Sequence, residues 1–129
     1  MGKFLILLMW MIFCHIIDDF VLQAACLSSL KQKSFWEENA PDDKYRYDYI
    51  VAILVHGFSW SFMIHLPILI KFYSTMNLVC FCMSLLAEAS IHAYIDNHKA
   101  NHKEINLIID QSLHLLQILF TLLMSGVYI

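Results

Sequence analysis

Three apolar segments of the chain each pair a histidine with an aspartate four residues away. This spacing places both side chains on one face of an α-helix, and a fourth apolar segment contributes one further histidine. Neutral imidazole and carboxylate are usual protein ligands of zinc, manganese and iron. The sequence therefore predicts a site for one or two divalent ions, with zinc as the first choice and manganese or iron as alternatives. The predicted ligands are His15, Asp19, His56, His92, Asp96, Asp110 and His114.

These candidates outnumber the four ligands of a tetrahedral zinc ion. Either two ions bind, or one ion binds and some of the candidates only orient the ligating histidines.

The segments that carry these residues are long and apolar enough to cross a bilayer. Hydrophobic residues make up 60% of the 129-residue chain and charged residues 15%, with a mean hydropathy of +0.62. A membrane-spanning helix needs about 20 mostly apolar residues, and no alternation of period two points to a barrel. We predict an all-α integral membrane four-helix bundle that forms a single domain of residues 1–129. The predicted helices are residues 4–27, 47–70, 76–96 and 105–127, with an interfacial loop at 28–46.

A cleaved signal peptide is the alternative interpretation of the first segment, because Lys3 precedes an apolar core at 4–13. Asp18, Asp19 and Gln23 make a poor approach to a cleavage site, and three more apolar segments follow. A retained membrane helix is therefore favoured.

Basic residues predict which side of the membrane each connection faces. The first and third connections carry six lysines and arginines, whereas the opposite side has Lys3 and Lys71. The positive-inside rule places the richer side in the cytoplasm. Loops 28–46 and 97–104 are therefore predicted to be cytoplasmic, and both termini to lie outside.

The predicted ligands share one depth in this topology. At 1.5 Å per residue they fall in one layer of the cytoplasmic leaflet, roughly 5–18 Å inside the boundary. His65 lies near the other end of its helix, and we expect it to stay apart. Each ionisable group costs about 2.5–3.5 kcal/mol at the centre of a bilayer, so a shared layer of them indicates a common purpose.

Three interpretations of this layer remain. The groups could be structural and hydrogen-bond the helices together, at about 0.6 kcal/mol per contact. They could form an ion or proton path. A metal site is favoured, because a divalent cation offsets the burial of the carboxylates.

Four blocks contain most of these polar residues: HIIDDFVLQ (15–23), ILVHGF (53–58), HAYIDNHK (92–99) and IIDQSLHLLQ (108–117). Their order and spacing resemble the motifs of a family of small bacterial and phage membrane proteins that is classified as a domain of unknown function. The resemblance covers nearly the whole chain and implies a multi-pass protein of the bacterial (host) inner membrane, with no established activity. The matching positions are His15, Asp19, Gln23, His56, His92, Asp96, Lys99, Asp110, Gln111 and His114.

Asp18 departs from the pattern of this family, in which a small or apolar residue is expected before the aspartate. The departure leaves open which of the two neighbouring acids, Asp18 or Asp19, faces inward.

The predicted metal layer leads to one main hypothesis, a membrane-embedded metal-dependent hydrolase acting on a lipid or lipid-linked substrate. A divalent ion lowers the pKa of its bound water towards about 7 and polarises a phosphoryl or acyl oxygen. Asp19 or Glu88 is the candidate general base. Lys99, at the cytoplasmic edge, is the candidate contact for an anionic headgroup.

Two other classes of function remain open. One is a non-enzymatic interaction protein with a structural His/Asp cluster, which would contact a host membrane protein through loop 28–46. The other is an ion- or proton-conducting homo-oligomer, because four spans are few for a transporter. Membrane lipids are expected partners in every case. A nucleic-acid partner is not expected, because the eight lysines and arginines form no basic stripe.

Overall fold

The computed structural model describes residues 2–23 and 25–127, and the regular elements in these ranges are all helical, which confirms the all-α prediction. The six α-helices are α1 (Gly2–Ile16), α2 (Ala25–Leu30), α3 (Lys33–Asn39), α4 (Asp48–Phe72), α5 (Leu78–Asn97) and α6 (Leu107–Met124). Two π-helical turns, Ile17–Leu22 and His98–His102, continue α1 and α5. Two 3-10 turns, Asp43–Tyr45 and Ser125–Val127, complete the described chain.

Four helical segments are long and apolar enough to cross a membrane, as the sequence predicts: Gly2–Leu22, Asp43–Phe72, Leu78–His102 and Leu107–Met124. The first ends before residue 27, because Gln23 leaves helical geometry (φ −71°, ψ 79°). Much of the predicted loop 28–46 is itself helical, in the end of α2, in α3 and in a 3-10 turn. Residues 1, 24, 128 and 129 of the predicted single domain lie outside the described residues.

The four long helices pack as a ring in chain order. α1 contacts α4, α4 contacts α5, α5 contacts α6, and α6 closes the ring against α1. The short connections between α4 and α5 and between α5 and α6 favour this arrangement, because they leave these consecutive helices antiparallel and adjacent. The outward faces are apolar, with exposed large side chains such as Ile6, Val51, Leu86 and Leu123. Such a surface is unusual for a soluble monomer and typical of a protein that contacts lipid.

Local sequence signals explain where two helices begin and how closely two of them pack. The Asn77 side chain accepts hydrogen bonds from two backbone N–H groups at the start of α5, and Asn106 accepts one at the start of α6. These are N-caps, which satisfy donors that a helix leaves free. Gly57 lets α4 approach α5, because a Cβ there would lie 2.7 Å from the carbonyl oxygen of Ala89.

The interior of the ring divides into two halves of different chemistry. The apolar half lies towards the turn between α4 and α5 and consists of Leu7, Met11, Ile64, Ile68, Phe81, Leu85, Ile118 and Leu122. The charged half lies at the other end of the same helices and contains His15, Asp18, Asp19, His56, His92, Asp96, Asp110 and His114. Trp60 is fully buried and packs against both groups.

Candidate metal centre

Both acids of the Asp18–Asp19 pair face the interior. Their side chains are 1% and 7% exposed. In a regular α-helix consecutive residues point about 100° apart, but the turn Ile17–Leu22 is wound more widely. The Gln23 N–H donates to the Asp18 carbonyl, five residues back, at 2.9 Å. This π-helical turn, a feature often found at functional sites, brings both neighbours into the charged half.

The carboxylate of Asp96 lies among three imidazoles from three different helices. Its Oδ1 is 3.8 Å from Nε2 of His92 and 3.8 Å from Nε2 of His114. Its Oδ2 is 3.6 Å from Nε2 of His56. Helices α4, α5 and α6 therefore each supply an imidazole nitrogen to the same small volume.

Two triplets of potential ligand atoms have spacings close to those of a metal site. Each triplet lies within 4.8 Å: one is Asp19, His56 and His92, and the other is His92, Asp96 and His114. Ligand atoms about 2.0–2.2 Å from an ion are at most about 4.4 Å apart. A contraction of a few tenths of an ångström would therefore close either triplet around a cation.

Asp19 and Asp110 flank the three imidazoles on opposite sides. Asp19 Oδ1 is 3.3 Å from His56 Nε2, and Asp110 Oδ1 is 3.3 Å from His114 Nε2. These four atoms and His92 Nε2 are buried and have no hydrogen-bond partner among the described residues. Buried polar atoms are almost always satisfied in folded proteins. Five unsatisfied nitrogen and oxygen atoms in one place indicate a site that a cation would complete.

One amide holds the outer oxygens of the two flanking carboxylates. The Gln111 side-chain amide donates to Asp19 Oδ2 at 3.0 Å and to Asp110 Oδ2 at 3.1 Å. Its own Oε1 lies 3.1 Å from His15 Nε2, while Trp60 Nε1 donates to His15 Nδ1 at 2.8 Å. The network assigns His15 as a neutral ring that donates through Nε2. Both nitrogens of His15 are therefore engaged, and the ring positions Gln111.

Asp18 lies behind the imidazole of His56. His56 Nδ1 faces Asp18 Oδ2 at 3.5 Å, and the Ser59 hydroxyl donates to Asp18 Oδ1 at 2.6 Å. A carboxylate in this position commonly orients a metal-ligating imidazole through a hydrogen bond. In this structure Asp18 Oδ2 makes no hydrogen bond among the described residues, so Asp18 adds negative charge beside His56.

Two lysines enter the charged half from its open end. Lys31 Nζ donates to Asp96 Oδ2 at 2.5 Å, and Lys99 Nζ donates to Asp110 Oδ2 at 2.5 Å. When ionised, four carboxylates face two ammonium groups, so two negative charges remain uncompensated. These carboxylates are Asp18, Asp19, Asp96 and Asp110. A divalent cation would balance these two charges.

All seven predicted ligands lie in the charged half, but two other residues do not. Glu88 is the predicted alternative base, and it accepts a hydrogen bond from Gln117 Nε2 at 2.7 Å. It lies one helical turn from His92, towards the apolar half. His65 bonds to the Ser61 carbonyl at 2.8 Å and to the Ser84 hydroxyl at 3.2 Å, which confirms that it stays apart.

Sequence reasoning missed two residues of the site. In the sequence analysis, Lys31 enters only as one of the basic residues that predict which side of the membrane the loops face. Its hydrogen bond to Asp96 joins residues far apart in the chain, and no sequence spacing predicts it. Trp60 stacks on His92 with ring centroids 4.2 Å apart. Its position four residues after His56, on the same helical face, is a sequence signal by which it can be found.

Comparison of the chain with models of protein families, with curated proteins and with solved structures found no match. The resemblance to a family of unknown function therefore stays a prediction. The geometry of the charged half carries the functional argument.

Proposed function

We propose that the chain is an integral membrane protein whose charged half binds one divalent cation and hydrolyses a lipid or lipid-linked substrate. One observation carries the proposal: a single carboxylate, Asp96, lies 3.6–3.8 Å from Nε2 of three histidines on three helices. Buried imidazoles gathered around a carboxylate are the donor set of zinc enzymes. Zinc is therefore the first choice, with manganese or iron as alternatives.

The proposed ligands are His92, Asp96 and His114, whose ligand atoms lie within 4.8 Å of one another, with His56 of the other triplet as the fourth ligand. One ion is preferred over two, because the two possible ligand triplets share His92. Asp19 and Asp110 flank this set, with their inner oxygens free of hydrogen bonds. They are placed to hold a water molecule beside the ion or to complete its coordination.

The chemistry divides between the ion and the flanking carboxylates. A divalent ion at this position supplies a Lewis acid that polarises the scissile phosphoryl or acyl group. Asp19 Oδ1 is the proposed general base, since Gln111 holds the other oxygen of this carboxylate. It takes a proton as the water oxygen bonds to phosphorus or to the acyl carbon. The ester bond breaks, and Asp19 passes its proton to the departing oxygen, which restores the carboxylate.

Glu88 is not proposed as the base, because its carboxylate is bonded to Gln117 on the side of the apolar half. The position of the site at one end of the apolar bundle suits a substrate whose headgroup lies at the membrane surface. The lysine-rich first and third connections support a cytoplasmic location for that end, in the bacterial inner membrane.

Metal content tests the proposal. The protein is purified in detergent, loaded with zinc and separated from excess zinc, and its metal content is measured by elemental mass spectrometry. We expect about one equivalent of zinc to remain bound, because four ligands hold the ion tightly. His92→Ala removes a central ligand and should bring the content near zero. His65→Ala is the matched control, because His65 is an equally buried histidine outside the charged half. Less than half an equivalent in the wild type, or equal losses in both variants, overturns the proposal.

Hydrolysis is tested separately on phospholipid and acylglycerol substrates in mixed micelles. Asp19→Asn is expected to retain zinc and to lose most of the turnover, because an amide accepts no proton from water. Zinc retention without turnover by the wild type contradicts the hydrolase. If zinc removal then also unfolds the protein, the cluster is structural and the interaction protein is favoured.

A second candidate, ion or proton conduction by an oligomer, is favoured by one observation. Buried polar side chains continue from the charged half along α5 and α6 towards the far end: Glu88, Gln117, Thr121 and Ser125. Such a line could relay protons. Proton flux into vesicles containing the protein, abolished by Gln117→Leu with zinc content unchanged, would support conduction over hydrolysis.

A further inference from the structure

A pocket of about 300 Å³ opens at the outer end of the charged half. It lies where the chain around α2 meets the π-helical turn His98–His102, and its size falls at the lower end of the range of small-ligand sites. Asp96 forms part of its wall, so the pocket leads directly to the proposed metal ligands. Lys31, Lys99, Lys103, Gln23 and Ser28 contribute the polar atoms around it.

The pocket is strongly basic for a site at a cluster of acids. Three of its lining residues are lysines, and Asp96 is the one carboxylate among the described residues that line it. Lys31 is only 6% exposed. When the Gln23 side-chain amide is turned so that both of its polar atoms have partners, its oxygen accepts a hydrogen bond from Lys31 Nζ at 2.6 Å. A buried ammonium held by two side chains in a pocket wall is a built feature, unlike an exposed lysine that extends into solvent.

Two of the three positive charges are engaged by the cluster itself. Lys31 is paired with Asp96 and Lys99 with Asp110. Lys103, at the end of the π-helical turn, has no ion pair among the described residues. A cation bound to the inner oxygens of the two aspartates would draw charge away from their outer oxygens. Both ammonium groups would then attract an anion in the pocket more strongly.

We propose that this pocket binds a phosphoryl group, as free phosphate or in a phospholipid headgroup, and binds it more tightly when a cation occupies the charged half. The dependence on the cation rests on the proposed function. Phosphoryl fits best, because it carries up to two negative charges and several acceptor oxygens for ammonium donors arranged around it. The bound phosphoryl group would lie beside Asp96, next to the proposed metal ligands, which deepens the proposed function by naming its substrate class.

Binding of inorganic phosphate to detergent-solubilised protein, by isothermal titration with and without zinc, tests the pocket. Zinc is expected to raise phosphate affinity at least about fivefold, and phosphate to raise zinc affinity by the same factor. Lys103→Gln should weaken phosphate binding about tenfold, because a charge-assisted hydrogen bond is lost. This variant leaves both Asp–Lys pairs in place, so it is expected to fold. Lys44→Gln is the control, because Lys44 is exposed and outside the pocket.

Native mass spectrometry of protein from vesicles distinguishes the two sources of phosphoryl. Phosphatidic acid is the phosphorylated probe and diacylglycerol is the matched probe that lacks phosphate. If the protein retains phosphatidic acid but not diacylglycerol, and the Lys103→Gln variant retains less phosphatidic acid, the pocket binds a lipid headgroup. Phosphate binding without lipid retention assigns it to the free anion.

The results separate this inference from the proposed function. Zinc binding with no saturable binding of either phosphorylated probe overturns the inference and leaves the metal site intact. Phosphate binding that Lys103→Gln weakens, in protein that binds no zinc, supports the pocket and overturns the metal site. Equal phosphate binding by the Lys103→Gln and Lys44→Gln variants overturns the pocket, and binding indifferent to zinc overturns the coupling.

Discussion

The two halves of the bundle are built from the same four helices but are held together differently. The apolar half contains interlocking aliphatic and aromatic side chains, and its core residues Met11, Ile64 and Ile118 are fully buried. The charged half contains imidazoles and carboxylates, several of which have no hydrogen-bond partner among the described residues. Packing stabilises the first half, whereas the second contains buried polar atoms without hydrogen-bond partners among the described residues.

The difference teaches how a small bundle can hold a costly site. Helices in lipid associate through close packing and hydrogen bonds, since lipid tails are as apolar as leucine. Packing in the apolar half and the close contact at Gly57 set the positions of the helices relative to one another. The side chains of the charged half are placed by the same helices. Variants that act on one half should therefore leave the other measurably intact.

The largest effect is expected from breaking the central charge pair of the charged half. Asp96→Ala leaves the Lys31 ammonium buried without its carboxylate, which should lower the free energy of unfolding by about 3–5 kcal/mol. Adding Lys31→Gln removes the stranded charge and should recover much of the loss. Unfolding in detergent followed by tryptophan fluorescence measures both. Equal destabilisation of the single and double variants would show that the pair is not the cause.

A backbone contact that serves both halves should give the next largest effect. A methyl group in Gly57→Ala would lie 2.7 Å from the Ala89 carbonyl oxygen and 3.2 Å from the Ala93 Cβ. Separating α4 from α5 should cost about 1–3 kcal/mol. It should also lower zinc affinity, because His56 and His92 lie on these helices. Gly126→Ala meets nothing within 4 Å and serves as the control in both assays. Unchanged zinc affinity in Gly57→Ala would show that the spacing between α4 and α5 does not set the geometry of the site.

Loss of the amide that holds two carboxylates should affect function more than folding. Gln111→Leu removes the hydrogen bonds to Asp19 Oδ2 and Asp110 Oδ2. Asp19 and Asp110 flank the proposed ligands and are placed to complete the coordination of the ion. Residues that hold such groups typically contribute 10–100-fold to metal affinity, and zinc competition with a chromogenic chelator should show a loss of about this size. Circular dichroism should show the helices intact. Wild-type affinity in this variant would remove Gln111 from the site.

The smallest effect is expected from a conservative change in the apolar half. Ile118→Val deletes one buried methylene and should cost about 0.5–1.5 kcal/mol. Zinc content and affinity are expected to stay at wild-type values, because Ile118 packs among apolar side chains. A clear change in zinc affinity would mean that the halves are not separable.

The helices and the ligand-bearing faces follow from sequence because they depend on local periodicity. Apolar runs of sufficient length predict four helices, and the four-residue spacing of His92 and Asp96 or of Asp110 and His114 predicts their common faces. Antiparallel order then brings those faces to one depth. Each of these steps uses only the rise and pitch of a regular helix.

Other features escape the sequence because they depend on tertiary contacts or on irregular backbone. The π-helical turn Ile17–Leu22, which turns both Asp18 and Asp19 inward, has no periodic signature. The contact of Lys31 with Asp96 requires α2 to fold back over the bundle end. The two ring nitrogens of His15 are engaged by Trp60 and Gln111, and residue type alone does not separate such a supporting histidine from a ligand.

Because of the wide turn at Ile17–Leu22, we expect this part of the chain to tolerate substitutions better than insertions or deletions. Deleting one residue within it would restore regular α-helical winding, in which consecutive residues point about 100° apart. One of the paired acids would then point away from the charged half, although every other amino acid is retained. The coding sequence is therefore expected to accept many replacements along the outward face of α1, but no loss or gain of a codon at this turn.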